Sequence, residues 1–153
     1  MTMAALIAAA IAALVFTGCT TGDPDLPISV KPAYIIGGAT AGFTTGTEMW
    51  GTMRVPITFA AGKATITFTH TSKKETAWGN GAGKTSFKLL LNESGTTAWG
   101  TNGGPITAGT EIVTDVGGGN IVLSGLTRGT KYKITIVHDI ANNQAIKVKF
   151  EQL

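Results

Sequence analysis

Beyond Pro32 the 153-residue chain is a series of short runs in which apolar and polar residues alternate, and glycine separates one run from the next. A period of two sends successive side chains to opposite faces of an extended strand, so each run has one dry face and one wet face. Ala64 to His70 sets Ile66 and Phe68 against Thr65, Thr67 and Thr69. Thr85 to Leu91 sets Phe87, Leu89 and Leu91 against Ser86, Lys88 and Leu90. Lys131 to His138 turns Tyr132, Ile134 and Ile136 inward, and Ala145 to Phe150 does the same with Ile146, Val148 and Phe150. Shorter runs occur at Tyr34 to Ile36, Met53 to Phe59 and Asn120 to Leu123, and Asp139 to Asn143 reads as the loop of a closing hairpin. No segment after the N-terminus has a helical period. About seven short strands joined by Gly-rich turns predict an all-β antiparallel sandwich.

Composition agrees. Glycine supplies 21 of 153 residues, well above the usual share of about 7%. Glycine disfavours helix and the abundant threonine favours strand. Pro56 has no N–H for a sheet ladder, which predicts an edge position for its strand. The predicted sandwich covers residues 33–153, and about 120 residues suffice to enclose a core without disulfides.

The N-terminus reads as an export signal. Ala4 to Phe16 is an apolar run, shorter than the roughly 20 residues a membrane-spanning helix needs, and small residues follow it. The sequence Phe16-Thr17-Gly18-Cys19 contains the sole cysteine and resembles the lipobox of bacterial lipoproteins. That resemblance implies a signal helix over residues 1–18 and acylation of Cys19; Thr20 stands where an aspartate would favour inner-membrane retention, so anchoring in the outer membrane is expected. The competing reading is a buried or free thiol after an ordinary signal. The n-region has no Lys or Arg, which points to a start codon upstream of Met1. Residues 19–32, with Pro24, Pro27 and Pro32, form the expected tether.

A net charge of +3 from 12 basic and 9 acidic residues is mild. Lys63, Lys73, Lys84, Lys131 and Lys147 are scattered along the chain, unlike the clustered patch of a nucleic-acid binder. Gly83-Lys84-Thr85 lacks the spacing of a phosphate loop, and a strand follows it where a helix should begin. His70 and His138 end strands with no Cys or close carboxylate group beside them, so no metal or cofactor site is expected. The carboxylates lie in different loops, and no catalytic constellation emerges.

The tryptophans Trp50, Trp78 and Trp99 each adjoin a glycine and fall outside the core alternation. Large exposed rings mark binding surfaces, and a sugar presents a flat C–H face to them. The alternative is that they cap the core.

Phe87-Lys88-Leu89, Trp99-Gly100-Thr101-Asn102-Gly103-Gly104, Gly118-Gly119-Asn120-Ile121 and Tyr132-Lys133-Ile134-Thr135-Ile136 follow one another in that order. Together with Ile36-Gly37-Gly38-Ala39-Thr40, they resemble the carbohydrate-binding module of the SusE/SusF-type outer-membrane starch-binding lipoproteins. The resemblance implies an immunoglobulin-like sandwich of the carbohydrate-binding-module type that binds a glycan, such as an α-glucan, without cleaving it. It also implies other outer-membrane glycan-uptake proteins as partners. Carried over by position, Trp99 stacks on sugar while Lys88 and Asn102 bond hydroxyls; Trp78 joins them by proximity. Phe43 stands where the family has Trp, and one module stands where the family has several. The competing function is a structural or adhesive lipoprotein that binds a protein partner through the same face.

Overall fold

A computed structural model describes residues 30–40, 54–75, 80–141 and 145–153. The described chain is all-β apart from one helical turn, and its strands form two antiparallel sheets. The first sheet holds β1 (Tyr34–Gly37), β2 (Arg54–Pro56), β4 (Lys84–Leu90), β5 (Ala98–Gly100), β7 (Asp115–Val116) and β8 (Ile121–Ser124). The second runs in the order β3 (Lys63–Thr69), β9 (Lys131–Asp139), β10 (Ala145–Gln152) and β6 (Glu111–Val113). The helical turn α1 (Ser72–Glu75) leads from β3 back to β4.

The second sheet follows the alternation read from the sequence. Ala64 and Phe68 on β3, Tyr132, Ile134 and Ile136 on β9, and Ile146, Val148 and Phe150 on β10 are all buried in one cluster. The antiparallel register sets Phe68 opposite Tyr132 and Phe150 opposite Ile134. The rings of Phe68 and Tyr132 stack with centroids 5.7 Å apart. The buried Tyr132 Oη also accepts a 2.8 Å hydrogen bond from the Thr127 amide, which closes the loop before β9 against the core. That arrangement satisfies the one polar atom of an otherwise apolar ring.

In the first sheet β4 is central. It pairs with β1 along one side, and with β8 and then β5 along the other. Ile35, Phe87, Leu89, Ile121 and Leu123 point into the same core as the second sheet. Phe87, Leu89, Ile134 and Ile136 are all fully buried, as the alternation requires. Pro56 lies on β2, an edge strand, where a missing N–H breaks no ladder.

Several expectations need correction. Within the run from Met53 to Phe59 the described strand covers only Arg54–Pro56, and the Ile57 amide carries its contact with β1 one residue further by donating to the Ala33 carbonyl at 2.8 Å. Leu90 is buried although it lies on the polar side of β4, since the loop glycine Gly95 packs near its methyl groups. The short strands β5, β6 and β7 do not appear in the alternation at all, and neither does α1. Pro32 is buried and Val30 packs against the core, so the last tether residues lie against the folded sheets. The signal at 1–18, Cys19, Trp50 and Trp78 lie outside the described residues.

Candidate functional site

Three of the motif pieces, those at Phe87–Leu89, Trp99–Gly100 and Gly118–Gly119, meet at one end of the first sheet, while Tyr132 to Ile136 lies on β9 of the second. Leu89 on β4 faces Trp99 on β5, and Trp99 in turn faces Val116 on β7. Residues directly opposite in a ladder share a face, so Trp99 lies on the core side with Leu89. It is 4% exposed and belongs to the hydrophobic cluster. The expectation of a sugar-stacking Trp99 is therefore corrected: the ring is a core residue that closes the end of the sheet pair.

Lys88 alternates with Leu89 and so points to the outer face, half-buried. Lys88 and Trp99 thus lie on opposite sides of one sheet and do not form a joint surface. Asn102 is exposed, and its Oδ1 accepts the Gly119 amide at 3.4 Å. It braces a turn.

The glycines around it have a structural reason. A Cβ on Gly100 would meet the Gly119 carbonyl oxygen at 1.8 Å and that of Gly118 at 2.7 Å. Gly100 alternates with Trp99, so these carbonyls lie over the outer face beside Lys88. The Thr101 amide donates to Gly119 O at 3.0 Å, and the Gly117 amide to Ala98 O at 2.8 Å. Two main chains cross here in contact. The absent side chain at Gly100 admits the protein's own backbone.

A second cluster went unread. His70 is fully buried at the end of β3, and its Nε2 lies 3.2 Å from Glu75 Oε1 on α1. Arg128 grips the same carboxylate, with Nε 3.1 Å from each oxygen and Nη2 2.5 Å from Oε2. The Gly83 amide donates to Glu75 Oε1 at 3.0 Å, and the Gly81 amide donates to the Glu75 carbonyl at 3.0 Å. Buried Lys74 donates from Nζ to the Thr40 carbonyl, and Thr85 Oγ1 donates to the Lys74 carbonyl at 3.0 Å. The expectation that no carboxylate accompanies His70 is corrected. The helical turn between the two residues brings them together, and that turn is too short to show a period.

The electrostatics fit a structural node. Arg128's hydrogen bonds, then the Gly83 amide, hold the Glu75 carboxyl down at about 2. Burial pushes the His70 imidazole below its ordinary value, outweighing its hydrogen bond to the Glu75 carboxylate. Buried His70 Nδ1 has no partner among the described residues. Glu75 thereby ties together the end of β3, the start of β4 and the loop before β9. Among the described residues no group of three or more His, Cys, Asp or Glu is placed to hold a metal ion.

Comparison of the chain with protein-family models, with curated proteins and with solved structures returned no match.

Proposed function

We propose that the chain is a non-catalytic surface lipoprotein, anchored in the outer membrane through Cys19, whose immunoglobulin-like sandwich binds a glycan. The observation that carries the reading is spatial. The Phe87-Lys88-Leu89, Trp99-Gly100 and Gly118-Gly119 pieces, on which the likeness to starch-binding lipoprotein modules rests, are direct neighbours at one end of the first sheet. The buried Tyr132 hydroxyl, bonded five residues upstream, resembles the tyrosine corner of immunoglobulin-type sandwiches and supports the finer fold. Trp99 serves that frame from inside. Lys88 and Asn102 border the glycine crossing and offer an ammonium and an amide to sugar hydroxyls.

A glycan array probed with the full chain, followed by calorimetry on its hits, tests the proposal. The Lys88→Ala/Asn102→Ala double variant should weaken binding at least roughly tenfold while the protein still unfolds in one cooperative transition. Absence of any glycan ligand, or a double variant that binds as the parent does, overturns it.

A further inference from the structure

The second sheet has a strand edge with unused hydrogen-bonding groups. The His138 amide donates to Gly62 O at 2.8 Å and the His70 amide to Thr130 O at 2.9 Å, one at each end of β3. Ladder bonds in an antiparallel pair recur at every second residue. Ala64, Ile66 and Phe68 therefore direct their main-chain groups to β9, and Lys63, Thr65, Thr67 and Thr69 direct theirs away. Lys63 fits this pattern, for it exchanges both bonds with Ala60, at 2.8 and 3.0 Å. Beyond Lys63 the lane is empty among the described residues: Thr65, Thr67 and Thr69 have no partner strand there and all three are exposed. Their three N–H and three C=O groups form a template for strand addition.

The strand is complementary to itself. We propose that β3 pairs antiparallel with β3 of a second copy of this chain, with Thr67 on the two-fold axis. In that register Thr67 faces its own counterpart and Thr65 faces Thr69. All six of these backbone groups in each copy are then used, and none that is already bonded among the described residues. On the outer face every cross-strand pair is threonine with threonine, a favourable pairing. On the inner face Ile66, only partly buried in one copy, meets Phe68 of the other. Lys63 falls outside the paired segment, so no like charges oppose one another. The two four-stranded sheets become one continuous eight-stranded sheet, built by the two-fold, self-matching contact usual for homodimers. This surface is independent of the glycan reading, since it lies on the other sheet.

Sedimentation of the full chain across a concentration series should show a dimer. Thr67→Lys sets two ammoniums against each other on the axis and should return a monomer that still unfolds cooperatively, with a melting temperature that no longer depends on protein concentration. In a Cys19→Ser background, Thr67→Cys should cross-link on mild oxidation, because hydrogen-bonded partners have Cα atoms about 5.5 Å apart. Thr65→Cys should not, since four residues of strand, about 13 Å, separate it from its own copy. A parent chain that stays monomeric, leaving the edge to a peptide of some other protein, overturns the proposal. So does a dimeric Thr67→Lys, or equal cross-linking at the two positions.

Discussion

The two sheets are held by different means. In the second, strands of seven, nine and eight residues (β3, β9 and β10) present regular rows of apolar side chains. Its order follows from side chains meeting side chains. In the first, β5 and β7 have only three and two residues, and the decisive contact is main chain on main chain at Gly100. The polar node around Glu75 joins the start of β4 in this sheet to the end of β3 and the loop before β9 in the other. One half is specified by what its residues carry, the other largely by what Gly100, Gly118 and Gly119 lack. Substitutions should therefore be tolerated very differently in the two halves.

The largest effect is expected at the crossing. Gly100→Ala places a methyl group within 1.8 Å of a carbonyl oxygen that belongs to backbone, and no side chain can rotate away. A loss beyond about 4 kcal/mol is expected, enough to prevent folding of a marginally stable domain. Gly104, where an added Cβ meets nothing within 4 Å, serves as the control and should lose under about 0.5 kcal/mol on the same change. Chemical denaturation of both variants measures the contrast. Similar values would mean that the two main chains are not in contact.

Next comes the tryptophan. Trp99→Ala should cost about 3–5 kcal/mol of stability, as for a large aromatic removed from a core. Lys133→Ala, on the wet face of β9 and paired with Glu151, should cost under about 1 kcal/mol. A Trp99→Ala protein with parental stability would restore the ring to the surface and blur the division between the sheets.

The most gradual effect is that of acid on the node. His70 is held neutral below its ordinary 6.5. The unfolded chain thus takes up this proton first, and stability falls as pH drops below 6.5. Glu75 is depressed from 4.5 to about 2, so its contribution is complete above 4.5 and is lost as pH falls toward 2. Melting temperature against pH should show both limbs. Glu75→Gln should shrink the lower limb, leaving what Glu151 contributes through its hydrogen bond with Lys133, and keep the upper one, because burial is the main cause of the His70 shift. A single limb in the parent would mean that one of the two groups is not held as described.

The second sheet was legible in the sequence because Lys131 to His138 and Ala145 to Phe150 are long enough to display their period. Pro56 marked an edge of the first sheet for a plain chemical reason. Around Trp99 the reading failed on length. Three residues, Ala98 to Gly100, do not establish an alternation, and a tryptophan next to glycine looks like a turn. Leu89 held the missing information: pairing Ala98–Gly100 with the buried side of β4 would have sent the ring inward. The His70–Glu75–Arg128 node was hidden for another reason. Arg128 lies 53 residues from Glu75, and only the return of the chain to the same end of the sheets joins them. The expectation of a sugar platform put at the surface a ring that is 4% exposed.

The glycine crossing also limits how such a sequence can change over generations. A crowded side-chain contact can be relieved by trimming the neighbour, so a harmful substitution has second-site suppressors. At Gly100 the neighbour is a carbonyl that every amino acid carries, and Gly118 and Gly119 are already the smallest residues available. No replacement opposite can make room for a side chain at Gly100. Any lineage that keeps this crossing keeps its glycine, whatever happens to Lys88, Asn102 or the surface around them.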